Sequence, residues 1–250
     1  MEVHHHPHVE KKRFKEYFLE FLMIFLAVTL GFFAENLRES QVQKDTAGKY
    51  VESFYEDLKT DTARMSNYTD FDDAKLAILN NLNNCFDTVS KKFQSTSCLL
   101  ELMKISAFNR AFKLTDRTLN QLSNAGGFKF LKKEDADSIL TYENNFDAFQ
   151  DFQATVYQEA QDKVRTTFDQ LVNFSANVQM FKPNGNRIDL NFDSKDVTMP
   201  LLHDSELLNK YFNELLLYYR VTFNHRARLG EFKENQIRLI NYFKNKYHYH

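Results

Sequence analysis

The sequence predicts an all-α protein, in which an N-terminal transmembrane helix precedes an antiparallel bundle of long helices with a short loop or hairpin insert near 182–200. The segment 17–34, YFLEFLMIFLAVTLGFFA, carries a single charge, the carboxylate of Glu20. The 250 residues include only three prolines and six glycines, the residues that interrupt helices most strongly. Apolar residues recur at steps of three and four through most of the remaining chain, which is typical of helices with one buried face.

The segment 17–34 has the length of a membrane-spanning helix. As an α-helix it is about 27 Å long, close to the hydrocarbon thickness of a bilayer. A cleaved signal peptide would need small residues directly after the apolar core, where this chain has ENLRE (35–39). An interfacial amphipathic helix would need a charged face, which the segment lacks. The sequence therefore predicts an uncleaved signal-anchor that crosses the membrane once.

The charges on either side of this segment predict its orientation. Residues 35–43 contain one cation, Arg38, whereas the preceding tail contains four: Lys11, Lys12, Arg13 and Lys15. Cations are retained on the cytoplasmic side of a membrane. We therefore expect residues 1–16 to form a cytoplasmic tail at the inner (cytoplasmic) membrane. Residues 35–250 then form an extracytoplasmic helical-bundle domain, which in a bacterium lies in the periplasm.

Glu20 is the candidate polar site within the membrane. It lies about 5 Å from the start of the apolar segment by helical rise, so its carboxylate can extend to the cytoplasmic interface beside Arg13 or Lys15. The alternative is an intramembrane proton or ion site, or a contact with a partner helix. The short distance to the interface favours the first interpretation.

The tail contains a histidine cluster, and imidazole nitrogens bind borderline metals. No carboxylate or cysteine completes a rigid set of ligands, so we expect adventitious binding and predict no metal site. These weak metal candidates are His4, His5, His6 and His8.

Cys85 and Cys98 are the two cysteines of the chain, thirteen positions apart. In an oxidising periplasm they could form one disulfide across the break at 95–97. Two free buried thiols are equally consistent with the sequence, and the spacing matches no metal motif.

The first helix beyond the membrane is predicted from Leu37 to about Phe93, either continuous with the membrane helix or hinged near Gly48 or at 67–73. Its apolar stripe predicts a buried face. The charges along it are predicted to lie on the solvated faces, including Glu56, Asp57, Lys59 and Asp61.

A second helix is predicted at about 98–113, and the Thr115 hydroxyl is expected to cap the short helix that follows it. Gly126 and Gly127 should end that helix, because glycine adopts the left-handed closing conformation at low cost. The next apolar stripe predicts a long helix from about 132 to 181.

The last helix is predicted at about 204–247. Four basic residues in it form a local band that we expect on a solvated face: Arg220, His225, Arg226 and Arg228.

The connection 182–200 contains a tight-turn signal, Asn184-Gly185, followed by the polar–apolar alternation of a short strand. Irregular segments carry function more often than long helices do. This connection and the segment 115–130 are therefore the predicted partner-binding surfaces. Their candidate residues are Asp116, Arg117, Asn184, Gly185 and Arg187.

Two stretches resemble a known family. MEVHHHPHVEKKRFKEYFLEFLMIFLAVTLGFFAENLRES resembles the N-terminus of a family of uncharacterised single-pass inner-membrane proteins from Bacteroidota. LTDRTLNQLSNAGGFKFLKKEDADSILTYENN (114–145) resembles a segment of the same proteins and, more loosely, of the DUF6090 group. The resemblance implies an inner-membrane anchor with a periplasmic helical domain, and it carries over no catalytic residues.

The motifs of common enzyme classes are missing from the sequence: a glycine-rich phosphate loop, GxSxG, HExxH, CxxC and the calcium-binding DxDxDG loop. A net charge of −2 gives no basic field for nucleic acid. We therefore expect a non-enzymatic, cofactor-free interaction module, scaffold or accessory subunit, in contact with the lipid bilayer and with a protein partner or a second copy. The alternatives are a transport or energy-coupling subunit that uses Glu20, or the input domain of a ligand sensor.

Overall fold

The computed structural model describes residues 14–94, 96–172, 182–184, 187–189 and 201–249. It confirms the all-α class: one long helix with an apolar N-terminal part is followed along the chain by the other helices of a bundle. The helices are α1 (Phe14–Leu79), α2 (Leu82–Lys92), α3 (Ser97–Ser106), α4 (Arg117–Asn124), a 3₁₀-helix (Gly127–Phe130), α5 (Lys133–Phe152), a π-helix (Gln153–Tyr157), α6 (Gln158–Leu171) and α7 (Ser205–Tyr247). Two short strands, β1 (Lys182–Asn184) and β2 (Arg187–Asp189), pair antiparallel.

Helix α1 is continuous for 66 residues, without a hinge at Gly48 or at 67–73. Among the described residues it is the one helix long and apolar enough to cross a membrane, and none of its apolar 18-residue window is buried. The first buried side chain along it is Val51. Helix α1 therefore has an exposed apolar half and a half that forms part of the bundle. The predicted helix to Phe93 is interrupted at Asn80 and Asn81, where a turn separates α1 from α2.

The bundle is built on α7 and the buried half of α1, which pack against each other. Phe54 near the start of the buried half of α1 contacts Phe243 near the end of α7, so the two helices are antiparallel. Their buried residues follow steps of three and four, the spacing of a helix–helix seam. On α1 the seam contains Val51, Phe54, Leu58, Asp61, Met65, Asp72, Lys75 and Leu79, together with the half-buried Tyr68. On α7 it contains Leu208, Tyr211, Leu215, Tyr218, Thr222, His225, Leu229, Phe232, Gln236 and Phe243.

The apolar core consists of two clusters. The proximal cluster lies nearest the apolar half of α1 and joins α1, α5 and the C-terminal part of α7 through an array of rings: Phe54, Phe112, Tyr142, Phe146, Phe149, Phe232 and Phe243. The distal cluster joins α2, α3, α6 and the N-terminal part of α7. Cys85 and Cys98 lie at the distal cluster, where a disulfide with a Cα–Cα distance of 5.8 Å links α2 to α3.

The predicted second helix, 98–113, is too long. Helix α3 ends at Ser106, and residues 107–116 form an irregular segment, which we call the strap. Phe112 of the strap is 1% exposed, with its ring centroid 5.2 Å from that of Tyr68. The burial of this ring in the proximal cluster favours an extended backbone over another helical turn.

Gly126 follows α4 in the left-handed conformation (φ 66°), as its sequence position predicts. At Gly127 a Cβ atom would approach Cα of Leu122 to 3.0 Å, so the close approach of the 3₁₀-helix to α4 requires glycine. The long helix predicted from 132 is interrupted by the π-helix and ends at Leu171, and the remainder of that prediction (173–181) lies outside the described residues.

Candidate functional site

A polar network lies between the two apolar clusters, where α1, α7, the π-helix and the strap meet. Nδ1 of His225 is 2.5 Å from Oδ2 of Asp72, and the two side chains are 0% and 1% exposed. The hydroxyl of Tyr157 donates to the other Asp72 oxygen at 3.1 Å. The Tyr157 ring also stacks on the His225 imidazole, with a centroid distance of 4.2 Å. Asp72 is therefore hydrogen-bonded by side chains of two other elements, α7 and the π-helix.

Lys75, one helical turn from Asp72, is 1% exposed. Its Nζ donates to the backbone oxygen of Phe108 at 2.6 Å and to Oδ1 of Asn109 at 2.9 Å, both in the strap. The same atom lies 2.5 Å from the Tyr218 hydroxyl and 3.2 Å from that of Tyr157. The amine is therefore surrounded by four oxygen atoms, which suits a buried polar group that must find its hydrogen bonds inside the protein.

The π-helix positions two members of the network. Such a wide turn shifts the buried stripe of a helix and is frequent at functional sites. Gln153 lies at its start and Tyr157 at its end, both buried, whereas Val156 between them is 44% exposed. The Gln153 amide accepts from the Phe112 backbone N–H at 2.7 Å and donates to the Phe112 carbonyl at 3.1 Å. Its oxygen also lies 3.1 Å from Nε2 of His225.

The electrostatics of the network are dominated by burial. Loss of water lowers the pKa of the Lys75 amine to about 7, against the attraction of the Asp72 carboxylate, while Arg110 in the strap adds a smaller lowering effect. Burial also raises the pKa values of the Tyr157 and Tyr218 hydroxyls, with further contributions from the Asp72 charge. Burial therefore disfavours both the charged form of the Lys75 amine and the ionised forms of the two tyrosine hydroxyls.

A second polar contact fixes α4 on α1. The Asp57 carboxylate accepts from the Thr118 backbone N–H at 3.2 Å and from its hydroxyl at 2.5 Å. Asp61 accepts from the backbone N–H of Thr115 at 2.9 Å and from its hydroxyl at 2.7 Å. The predicted capping by Thr115 is therefore wrong: the helix has no side-chain cap from the residue before it, and one of its free amides, that of Thr118, is bonded to the Asp57 carboxylate of α1, which the helix dipole also favours.

A third polar contact joins the start of α5 to the end of α7. Asp135, 0% exposed, accepts from Tyr242 at 2.8 Å, from Lys246 at 2.7 Å and from Tyr247 at 2.5 Å. Burial raises the pKa of the Asp135 carboxyl, but the three hydrogen bonds outweigh it and hold this pKa below its usual value. The last turns of α7 are thereby held against the bundle.

The grooves described on the surface lie apart from the buried network. One of about 420 Å³ runs between α5 and α7 and is lined by residues that include Tyr142, Arg238 and Tyr242. Another, of about 480 Å³, lies between the strap, α4 and α5 and includes Asp116, Asn120 and Glu143. A third, of about 560 Å³, lies between α6 and α7. None of these three grooves is lined by Asp72, Lys75 or His225.

The sequence-predicted site residues are dispersed. Glu20 lies in the exposed apolar half of α1. Asp116 is exposed just before α4, and the neighbouring Arg117 pairs with Asp57 at 2.6 Å while remaining 69% exposed. Asn184 and Arg187 are paired across the β1–β2 hairpin. The four histidines of the tail and Gly185 lie outside the described residues.

The residues of the network were not predicted from the sequence. Asp57 and Asp61 were expected on solvated faces, as was His225 with its neighbouring arginines, and all three are buried. Arg226 and Arg228 lie nearer the surface. Arg226 forms an ion pair with Asp73, and the guanidinium of Arg228 lies over the Phe152 ring. The available signal was that Asp61, Asp72, Lys75 and His225 occupy positions of the apolar repeat where a residue of the buried seam is expected.

Comparison of the chain with protein-family models, with curated proteins and with solved structures finds no match. The function is therefore inferred from the fold and its polar contacts.

Proposed function

We propose that this chain is a non-enzymatic, membrane-anchored interaction module, which acts as a scaffold or accessory subunit of a membrane complex. The observation that supports this proposal is the continuity of α1, whose exposed apolar half and buried half form one 66-residue helix. A helix of that length is about 99 Å long. Any displacement or rotation of the membrane segment is then transmitted directly to the bundle, and the bundle is held at a fixed distance from the bilayer.

We further propose that the bundle lies outside the cytoplasm, anchored in the inner membrane with its N-terminal tail inside. The Cys85–Cys98 disulfide supports this location, because disulfides persist in oxidising compartments and are rare in the cytosol. The excess of cations before the apolar segment supports the same orientation.

The proposal that the protein is not an enzyme is supported by the structural contacts that its buried polar groups make. Asp57 and Asp61 hold α4, Asp135 holds the end of α7, and Lys75 holds the strap. Each of these groups stabilises a contact between elements of the fold. The network at Asp72 also lies apart from the three described grooves that could receive a substrate.

The surface that we assign to a protein partner is the outer face of α4, which begins at Arg117, together with the preceding residue Asp116. It borders the groove between the strap, α4 and α5. Its backbone is fixed by the Asp57 and Asp61 contacts beneath it, so its exposed side chains are presented in a defined arrangement. Preorganised surfaces of this kind lose less entropy on binding.

Photo-crosslinking in the native membrane tests this assignment. A photoreactive residue is placed at Asn120, which lines the groove, and in a matched variant at Asp169, an exposed position on α6. We expect one discrete adduct from position 120, with another protein or with a second copy, that is absent from position 169. Equal adduct patterns from both positions, or none from position 120, would contradict the assignment.

A further inference from the structure

One end of the bundle faces the apolar half of α1. The turn between α4 and α5 lies at this end, since a Cβ atom at Gly127 would come within 3.2 Å of the Tyr50 ring, and the next residue of α1, Val51, is its first buried one. The end of α7 lies there as well, because Lys246 binds Asp135 in the first turn of α5 at 2.7 Å. The two pieces therefore form one surface.

Four exposed lysines lie on this surface, which we call the lysine end. They are Lys129, Lys132, Lys133 and Lys244. Within the described part of the chain, none of the four forms an ion pair. Two exposed carboxylates, Glu52 and Glu134, lie at the same end, and Lys246 is 3.6 Å from Glu134. The lysine end therefore has a local excess of positive charge, although the whole chain has a net charge of −2.

The exposed part of α1 between the membrane and the bundle sets the height of the lysine end. The side chains of residues 35–45 are all exposed, and the first buried side chain is Val51. The bundle therefore begins about 18–25 Å beyond Ala34 along the helix axis. Lipid headgroups fill roughly 5–7 Å of that height.

The remaining gap is small enough for the lysines to act on the bilayer surface. Membrane helices are tilted by about 20° on average, and because α1 is one continuous helix, the bundle tilts with its membrane half. The tilt lowers one side of the bundle, and long lysine side chains extend further toward the lipid. A charge then acts over a Debye length of about 8 Å. Attraction between the lysines and anionic lipid favours the tilt that lowers the lysine end.

We propose that the lysine end binds the anionic headgroups of the bilayer in which α1 is anchored. Lysine ammonium groups form charge-assisted hydrogen bonds with phosphate oxygens, and clusters of lysines are attracted to anionic lipid. This inference rests on the proposed anchoring of α1, and it holds for either orientation of the protein in the membrane. The contact restricts rotation of the bundle about α1, so the groove between the strap, α4 and α5 faces a defined direction along the membrane.

Energy transfer from the lysine end to labelled lipid tests this proposal. The full chain carries a donor dye on Asn245→Cys, an exposed position in the last turns of α7. The two native cysteines are joined in the disulfide, so the dye attaches to the added thiol. Nanodiscs contain phosphatidylcholine and phosphatidylglycerol in equal amounts, with an acyl-chain acceptor on one lipid or on the other. We expect greater transfer to labelled phosphatidylglycerol, and a loss of this preference in about 1 M salt, where the Debye length is about 3 Å.

A triple variant, Lys129→Gln, Lys132→Gln and Lys133→Gln, should lose the preference, and its exposed positions leave the fold intact. The matched control is Lys91→Gln with Lys92→Gln, two exposed lysines at the end of α2, which belongs to the distal part of the bundle, and it should retain the preference.

Equal transfer to the two lipids in the wild-type chain would overturn the proposal. An unchanged preference in the triple variant would also overturn it, because other groups would then attract the lipid. A chain that does not enter the nanodisc would overturn the anchoring of α1 and this inference together, whereas a chain that enters it and shows no preference overturns this inference alone.

Discussion

Asp72 and His225 are 153 residues apart in the chain, yet Oδ2 of Asp72 lies 2.5 Å from Nδ1 of His225, and both side chains are buried. The pair joins α1 to α7 at the boundary between the proximal and distal clusters. A buried polar pair of this kind fixes the register of two helices, because a slide of one turn would leave both groups without a partner.

Loss of either partner should destabilise the bundle strongly. We expect Asp72→Ala to lower the free energy of unfolding by about 3–5 kcal/mol, because it leaves the His225 and Tyr157 groups buried without their acceptor. Urea unfolding of the full chain in detergent, followed by circular dichroism, measures this change. Asp73→Ala is the matched control, since Asp73 is 50% exposed in its pair with Arg226 and should cost less than about 1 kcal/mol. Equal losses of unfolding free energy in the two variants would show that the buried pair stabilises the bundle no more than the exposed ion pair does.

The hydrogen bonds from Thr118 to Asp57 should stabilise α4 more than the exposed ion pair between Arg117 and Asp57 does. We expect Asp57→Ala to lower the free energy of unfolding by about 1–3 kcal/mol, because the backbone N–H and the hydroxyl of Thr118 lose their acceptor. Arg117→Ala should cost under about 1 kcal/mol, since the arginine is 69% exposed. Hydrogen exchange localised to α4 measures both effects. A larger effect from Arg117→Ala would contradict this ranking.

The disulfide should stabilise the distal end of the bundle. Cys85 and Cys98 are thirteen positions apart, and closing a loop of that size contributes about 3 kcal/mol in the chain-entropy model. The double variant Cys85→Ser, Cys98→Ser should therefore unfold at a lower urea concentration than the oxidised wild type. A reductant should shift the wild type in the same direction and leave the double variant unchanged. A reductant effect on the double variant would exclude the disulfide as its cause.

Acid should loosen the end of α7. The pKa of Asp135 is held below its usual value in the folded state, so its contribution to stability is present above the unfolded-state pKa and is lost as the pH falls through the folded-state pKa. Hydrogen exchange at 242–249 should therefore accelerate at acidic pH, beyond the change in the intrinsic rate. Asp135→Asn should already exchange faster at pH 7 and show less acid dependence. Unchanged protection in Asp135→Asn would contradict the assigned role.

Glu20 should tolerate loss of its charge. We expect Glu20→Gln to leave membrane insertion and the size of the purified particle unchanged, because the proposed orientation places the carboxylate close to the cytoplasmic interface. Size-exclusion chromatography in detergent measures the particle, and Glu16→Gln in the adjoining turn is the matched control. Loss of assembly in Glu20→Gln alone would favour the transport or energy-coupling alternative.

The last helix could be predicted from the sequence because its apolar steps of three and four recur along its whole length. The last helix was predicted at about 204–247 and is Ser205–Tyr247, and Asn184, where the turn signal begins, is the last residue of β1. The all-α class followed from the scarcity of proline and glycine. These features depend on local spacing, which the sequence displays directly.

The strap and the polar network could not be predicted, because they depend on contacts between residues far apart in the chain. A single helix shows Asp61 or His225 as a charge in an apolar repeat, and such a charge is solvated unless a partner lies opposite it. Asp61 finds its partner Thr115 in the strap, and His225 finds its partners Asp72 and Gln153 in α1 and the π-helix. The sequence likewise gives no local reason for α3 to end at Ser106, since the competing force is the burial of Phe112.

The orientation of the bundle relative to the membrane tests the central proposal most directly. The full chain with a C-terminal epitope is expressed in a Gram-negative host, and intact spheroplasts are treated with protease. We predict that the epitope and the bundle are digested from outside while a cytoplasmic marker stays intact. Protection of the bundle until the membrane is lysed would contradict an extracytoplasmic interaction module.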